Sequence, residues 1–449
     1  MDGTQPSAHR IRYAACPAAA AAASKPTRLQ TSHEESEMTQ GVPYKEGLWA
    51  VSPYNFDAGV NAGMHLPPKV QVLDLTLREG RQVEGVSLRL EDVVEYARRA
   101  DAAGISMIEM HHDEPEEIRQ VKKLGLKLKI QALVHPTASL HPEICAQEID
   151  KCRDWGADII CLSIVGSDYN FGLVESMAGL KLSREEYLDR ACESVRYGKK
   201  QGAIINAIVT DFSRMDIAWL TTITRRLAEA GVDILRLDDI CAPCKPAVYQ
   251  HHAWKVKQSI GSVPLAIHSH NDFDLGLAGQ LAALQGGAEI LEGSVNGLGE
   301  RVGVPNLAVL AATLELFYGY DTGIKMDAMQ DLSEFVAHMW NQPIPPHLAG
   351  VGRTAFSHCV EVHYVLPKDG QWAFNSWSPK VLGNRDFVPL CHYSGPTAVK
   401  KKARDLGLGE LSTDAAKEAL AHVRRELRLR RTTLSDRLFA QLVAEATKR

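Results

Sequence analysis

The chain has 449 residues, of which 45% are hydrophobic and 23% are charged, and its formal net charge is −5. A weak negative charge without a basic stripe, and the lack of an apolar run of transmembrane length, argue against nucleic acid or a membrane as a partner. The nine scattered cysteines predict reduced thiols rather than a disulfide framework, and the lone CxxC of Cys241 and Cys244 is interpreted as structural. The length predicts one large domain and at least one smaller one.

The first 45 residues differ from the rest in composition. They contain an alanine run, Ala18 to Ala23, several basic residues and few acids. We interpret residues 1–45 as a disordered extension, with a transit-like leader as the alternative and Met38 as an alternative first residue.

From Lys69 to about Tyr320, short apolar runs alternate with amphipathic stretches such as Leu90 to Ala103, which has helical spacing. The eight predicted strands are VQVLDLTL, GISMIEM, LKLKIQALV, ADIICLSIV, AIINAIV, VDILRLD, VPLAIHSH and AEILEGSV. Eight alternations predict a TIM (β/α)8 barrel, and residues 46–322 are assigned to it as the catalytic domain. A doubly wound open sheet is the alternative, but no GxGxxG follows the first strand.

Polar residues collect where the predicted strands end, and this end carries the active site in such barrels. In chain order they are Arg78, Glu79, Gln82, Glu109, His111, His112, His135, Asp238, Asp239, His268, His270, Asn296 and Glu300. Chance placement would scatter them along the chain. Their clustering therefore favours a functional site.

His268 and His270 are two residues apart at the end of a strand, so both rings point to the same side. Together with Glu79 they form a mixed nitrogen and oxygen ligand set for a divalent metal, with room left for substrate oxygens. For the histidine pair alone, a polar loop is the alternative. Arg78, beside Glu79, could stabilise an enolate or alkoxide oxygen, or form a plain ion pair.

After Tyr320 the pattern changes to a helical stretch, Met326 to Met339, followed by the proline-rich NQPIPPH. We predict a linker and lid-like subdomain over residues 323–394 and a helical C-terminal subdomain over residues 395–449. His358 and His363 in the lid-like part are candidate general bases, with surface or packing histidines as the alternative.

Three separated motifs, DLTLREGRQ, HSHND and NGLGERVG, resemble those of the homocitrate synthase and 2-isopropylmalate synthase family of metal-dependent TIM-barrel enzymes. AFSHCVEVH and CHYSGPTAVKKKARDLGLG also fit this family, so the resemblance covers about residues 70–443. It implies that an acyl-CoA, usually acetyl-CoA, is deprotonated and adds to the carbonyl of a metal-bound 2-oxo acid. Thioester hydrolysis then releases CoA and a 2-hydroxy di- or tricarboxylic acid. A lyase or aldolase on the same barrel, or a non-catalytic homologue, are the alternatives.

The resemblance also implies roles for matching residues. The expected ligands of Mg, Mn or Zn are Glu79, His268 and His270. The expected catalytic residues are Arg78 for the oxyanion, Glu109 as its support, His363 as the base, and Glu300 in the glycine-rich segment near the acyl-CoA. The expected substrate-binding residues are Gln82, His135, Arg236 and Asn296. In this family the lid reaches the barrel of a partner subunit, so we expect a homodimer with lid exchange. We also expect a cytoplasmic protein.

Three positions depart from the family pattern. Ile240 stands where a threonine holds the 2-oxo acid carboxylate, Thr137 where an arginine follows the strand-three histidine, and Phe374 where a tyrosine is expected. An arginine on strand five also has no clear counterpart. When a carboxylate oxygen of the substrate has no hydrogen-bond donor in the site, about 1 to 3 kcal/mol of binding free energy is lost. We therefore expect an acceptor other than 2-oxoglutarate or 2-oxoisovalerate.

Arg236 could compensate for the lost donors. It lies four residues before Ile240 on the same strand face and could bind a carboxylate or phosphonate, with an ion pair to Asp238 or Asp233 as the alternative. The pair His111 and His112 is expected to reshape the pocket.

Overall fold

The structure is a computed structural model that describes residues 41–134, 138, 141–363, 372–385 and 387–448, without the side chains of residues 173–175, 177 and 178. Its first element is a short antiparallel hairpin of β1 (Tyr44–Lys45) and β2 (Trp49–Ala50). The Trp49 side chain is buried, and the backbone beside it pairs with Ser376 and Trp377. The hairpin thus packs against a segment that follows the barrel in sequence.

Eight parallel strands form a closed barrel, which confirms the predicted (β/α)8 fold. They are β3 (Gln71–Asp74), β4 (Met107–His111), β5 (Lys129–Leu133), β6 (Ile159–Val165), β7 (Ile204–Thr210), β8 (Ile234–Asp239), β9 (Leu265–Ser269) and β10 (Ile290–Gly293). Each strand pairs with the next, and β10 closes the barrel on β3 with Ile290 opposite Gln71. All eight carboxyl ends therefore meet at one mouth.

Helices connect the strands and cover the outside of the barrel. They are α1 (Leu90–Ala102), α2 (Pro115–Lys123), α3 (Pro142–Trp155), α4 (Asp168–Ala178), α5 (Arg184–Lys200), α6 (Ile217–Ala230), α7 (Pro246–Ile260), α8 (Gly276–Gln285) and α9 (Leu307–Tyr318). The side chain of Ser183 begins α5 in a capping box with Glu186, and Asp216 caps α6, so backbone N–H groups at these helix starts are satisfied. None of the helices in the described ranges has both the length and the apolar character that a membrane crossing requires.

The interior of the barrel changes from apolar to polar along the strands. Near the amino-terminal end it is filled by Leu73, Met107, Ile159, Ile234, Ala266 and Ile290. Two residues further along, the buried side chains are Glu109, Cys161, Arg236, His268 and Glu292. Residues two apart share a strand face, so this polar layer also points inward. It forms the floor of the barrel mouth.

In the described residues after the barrel there are four α-helices. They are α10 (Met329–Met339), α11 (Pro396–Asp405), α12 (Thr413–Arg430) and α13 (Asp436–Thr447). The last three share a core of their own around Phe439, Leu420 and Val399. This confirms the prediction of a mainly helical C-terminal region.

Candidate metal and active site

Glu79 is held at the mouth by the turn that follows β3. The buried Asp74 carboxylate accepts hydrogen bonds from the hydroxyls of Thr76 and Tyr96, and burial raises the pKa of Asp74 to about 6. Thr76 Oγ1 in turn accepts the N–H of Val295 at 2.9 Å. The end of the first barrel strand is thus tied to the segment after the last one, and Glu79 begins a short 3-10 turn there.

The structure brings the three predicted metal ligands together. Glu79, His268 and His270 are all buried, and one ligand atom of each lies within 4.8 Å of the other two. Nε2 of His270 lies 3.7 Å from Oε1 of Glu79. Two imidazoles and a carboxylate are a ligand set typical of divalent metal sites.

The hydrogen bonding of His268 also fits a metal ligand. Its Nδ1 lies 2.9 Å from Oε2 of Glu292, which leaves Nε2 available to a metal. Burial lowers the pKa of His268 to about 3, so the ring is neutral, which is the form that binds a cation. Burial opposes the charge of Glu79, but Arg78, the two histidines and the Glu300 N–H together lower the pKa of Glu79. His268 therefore offers a lone pair and Glu79 an anion, and together with the adjacent His270 ring they fit a divalent ion.

We expect the metal-free protein to lose stability in acid through His268. Between the folded pKa of about 3 and the ordinary value of 6.5, the unfolded chain binds a proton that the folded chain does not, so stability rises with pH. This group alone should lower the free energy of unfolding by roughly 1 to 2 kcal/mol from pH 6.5 to pH 5. Urea unfolding with a chelator should show this loss in the wild type and a correspondingly smaller loss in His268→Gln. Equal losses in the two proteins would contradict the assignment.

A chain of buried ion pairs fixes Arg78 beside the metal ligands. Its Nη1 pairs with Glu79, and its Nε donates to Oε1 of Glu109 at 2.6 Å. Burial opposes its charge, but Glu109 and Glu79 raise the pKa of the Arg78 guanidinium, so it remains a cation. Burial also works against the charge of Glu109, yet Arg236 and Arg78 lower the pKa of this carboxyl. A permanent positive charge thus lies next to the candidate metal position.

The environment of Arg236 differs from the one expected of a substrate-binding residue. It is 1% exposed, and its Nη1 lies 2.5 Å from Oε2 of Glu109 and 3.2 Å from Oε1 of Glu292. Asp238 is a more distant partner at 3.8 Å, whereas Asp233 pairs with Lys199 instead. Sequence spacing put Arg236 on the strand face of Ile240, whereas its contacts make it the partner of two buried carboxyl groups, those of Glu109 and Glu292. A direct substrate role stays a prediction.

The glycine-rich segment reaches the site through its backbone. The N–H of Glu300 donates to Oε1 of Glu79 at 3.1 Å, whereas the Glu300 side chain is half exposed and pairs with Arg301. Gly303 has a φ of 83°, and a Cβ there would lie 1.9 Å from the Gly297 carbonyl oxygen, so only glycine fits. This close approach of two chain segments brings the Glu300 N–H to the metal ligand.

Two predicted substrate-binding residues lie at the edge of the site. Nδ2 of Asn296 donates to the carbonyl of Ser333 in α10 at 3.0 Å, and Gln82 is exposed at the rim. His135 and Thr137 lie outside the described residues. The substrate roles of Asn296, Gln82 and His135 stay predictions.

His363 lies in the lid-like segment and contacts other residues of that segment. Its Nδ1 is 3.1 Å from Nδ1 of His358, and its ring stacks on Phe374 with the centroids 3.9 Å apart. Glu361 anchors the segment to the C-terminal helices by accepting the N–H of Thr397 at 3.0 Å. Within the described ranges, no hydrogen bond or ion pair joins His363 to the metal ligands. Its role as the base stays a prediction.

Glu292 is the residue of this site that sequence reasoning missed. Burial raises its pKa, and it contacts both His268 and Arg236. The available signal was a carboxylate at an inward position of the apolar strand ILEG, two residues after Ile290. A charged residue in a fully buried strand requires a partner.

Comparisons with known proteins agree with this geometry. Residues 69–336 match the sequence model of the HMGL-like family. The 2-isopropylmalate synthase 2 of Caldanaerobacter subterraneus subsp. tengcongensis is 30% identical over 361 residues, which cover 79% of this chain and 90% of that protein. An (R)-citramalate synthase of Methanocaldococcus jannaschii is 30% identical over 76% of this chain and 67% of its own length. A homocitrate synthase of Saccharolobus islandicus is 29% identical, with 81% and 77% covered.

Solved structures share the fold at lower identity. The HMG-CoA lyase of Bacillus subtilis has a TM-score of 0.53 and 20% identity, and the match covers 63% of this chain and 97% of the lyase. The HMG-CoA lyase of Brucella melitensis has a TM-score of 0.53 and 18% identity, with 61% and 99% covered. At these identities the similarity establishes a common barrel and nothing about the reaction.

Proposed function

Because the chain belongs to the HMGL-like family, we propose that it is a divalent-metal-dependent enzyme that condenses acetyl-CoA with a 2-oxo acid. The products would be CoA and a 2-hydroxy di- or tricarboxylic acid. The observation that carries the proposal is the buried set of Glu79, His268 and His270 with Arg78 beside it. The similar 2-isopropylmalate, citramalate and homocitrate synthases support a synthase rather than a lyase.

The residues of the mouth suit the demands of this reaction. A divalent ion held by Glu79, His268 and His270 would supply a Lewis acid that polarises the carbonyl of the 2-oxo acid. Arg78 offers a fixed cation for the oxygen on which negative charge develops. Glu109 holds Arg78 in place and stays ionised between two guanidinium groups, so it does not compete as an acid.

The deprotonation of acetyl-CoA requires a base, and we propose His363 of the lid-like segment for it. Its stacking on Phe374 and its contact with His358 hold the ring in one orientation. We further propose that this segment reaches the barrel of a second copy in a homodimer. A cytoplasmic location completes the proposal, and it is supported by the eight cysteines in the described ranges, all of which are free thiols.

The acceptor is proposed to differ from those of the similar synthases. Ile240 follows β8 at the mouth, and its carbonyl accepts a hydrogen bond from Arg301 at 2.5 Å. Its apolar side chain cannot donate to a substrate carboxylate as a threonine would. An enzyme discriminates strongly between acceptors when recognition depends on a hydrogen bond, because an acceptor whose partner is missing keeps an unpaired polar group.

An assay of free thiol release with a panel of 2-oxo acids tests the proposal. Purified protein is incubated with Mn(II) or Mg(II), acetyl-CoA and one acceptor at a time. We expect acceptor-dependent release of CoA with at least one 2-oxo acid and none with chelator. Cleavage of a 2-hydroxy acid or hydroxyacyl-CoA, without condensation across the panel, would instead indicate a lyase and would contradict the proposal.

A further inference from the structure

A second cluster of metal-binding side chains lies at the rim of the barrel, apart from Glu79, His268 and His270. It consists of His111, the last residue of β4, and the following His112 and Asp113. One ligand atom of each lies within 4.8 Å of the other two. The His111 side chain is 28% exposed and that of Asp113 is 67% exposed, so solvent reaches the cluster. The proposed condensation gives these residues no role.

The hydrogen bonding of His112 determines which ring nitrogen faces the carboxylate. Its Nδ1 lies 3.0 Å from the carbonyl oxygen of Leu133, which can only accept, so Nδ1 carries a proton. The other ring nitrogen, Nε2, lies 2.8 Å from Oδ1 of Asp113. A backbone carbonyl that fixes the tautomer in this way is typical of histidines that bind metals.

The His111 ring lies beside the same carboxylate. Its Nδ1 accepts the backbone N–H of Asp113 at 3.3 Å and lies 3.2 Å from Oδ2 of that residue. Nitrogens of two imidazoles thus lie within 3.2 Å of one carboxylate. A divalent cation among the three groups would bind all of them.

We propose that His111, His112 and Asp113 bind a divalent transition-metal ion. Two imidazoles and one carboxylate suit Zn²⁺ and its neighbours, and the solvent-facing side leaves positions for water ligands. His111 is two residues after Glu109 on the same strand face, so the ion would lie on the mouth side of the Arg78–Glu109 pair. The proposal does not depend on the proposed condensation, because it concerns binding alone.

Titration of tag-free full-length protein with Co(II) tests this site. We expect two equivalents of tightly bound Co(II) in the wild type, measured by visible absorption and by metal analysis after dialysis. Both His111→Ala and Asp113→Ala should bind one equivalent, and Zn(II) should displace the second equivalent from the wild type. His270→Ala should lose the other equivalent and keep the rim site.

His251→Ala is the matched control. His251 is an exposed histidine next to His252 in α7, with their ring centroids 5.6 Å apart, and it should leave two equivalents bound. Thermal unfolding of each variant reports whether it folds. Because two single variants are tested, a folding failure of one of them still leaves the other as a test. A single Co(II) equivalent in the wild type, or two in both rim variants, would overturn the proposal and leave an ion pair of protonated His112 with Asp113.

Discussion

Replacement of His270 by alanine is expected to remove the metal ion held with Glu79 and His268 and to lower acetyl-CoA-dependent turnover by about 1000-fold, equivalent to about 4 kcal/mol of transition-state stabilisation. The ring is 2% exposed and is one of the three candidate ligands that the described residues bring together at this site. Its loss would leave two candidate ligands, too few to retain a divalent ion through dialysis. Metal analysis after dialysis and kcat from free thiol release measure the two effects.

Two controls separate this effect from a general loss of structure. His270→Gln keeps a polar side chain in the cavity and should also lose the metal, while its far-ultraviolet circular dichroism stays that of the wild type. His347→Ala changes an exposed histidine outside the barrel and should leave both metal content and turnover unchanged. A His270→Ala protein that retains stoichiometric metal at this site and wild-type turnover would show that the assigned ligand set is wrong.

Substitution of Arg78 by lysine should lower kcat by about 100- to 1000-fold while the metal stays bound. Arg78 contacts Glu79 through Nη1 and Glu109 through Nε, so its planar group spans two carboxylates. A lysine ammonium keeps the charge but cannot hold this geometry at both partners. KM for the acceptor should change less than kcat, because the lost interaction is made with charge that develops during the reaction.

Arg99→Lys is the matched control for this substitution. Arg99 forms an exposed ion pair with Glu95 on α1, and such pairs contribute little to stability. Its turnover should equal that of the wild type. If Arg78→Lys also kept wild-type kcat with a full complement of metal, Arg78 would be a structural ion-pair residue only.

The barrel could be predicted from the sequence because its strands are buried on both faces. Such strands appear as short apolar runs, and helices with apolar residues at 3.6-residue spacing separate them. The predicted helix from Leu90 to Ala103 differs from the observed Leu90–Ala102 by one residue. A difference of one residue is common, because helix ends fray. The boundaries proposed between the catalytic domain and the lid-like and C-terminal subdomains stay predictions.

The candidate metal ligands could be predicted because each lies in a short motif with its own spacing. HSHND places two rings two residues apart at the end of β9, and Glu79 follows Arg78 in the turn after β3. The partners of Arg236 could not be found in this way. Glu109 is 127 residues away in sequence and Glu292 is 56, so only the closed barrel brings them together. Spacing reveals local contacts, whereas the polar layer inside the barrel depends on the register of all eight strands.

The formation of a carbon–carbon bond from the acetyl group tests the central claim most directly. Metal-loaded protein is incubated with [2-13C]acetyl-CoA and the acceptor that gives the fastest thiol release, and the product is analysed by 13C NMR. We expect the labelled methylene carbon to be bonded to the carbinol carbon of a new 2-hydroxy acid, and chelator to abolish this product. Label recovered only as free acetate, or no labelled 2-hydroxy acid with any acceptor of the panel, would contradict the proposed condensation.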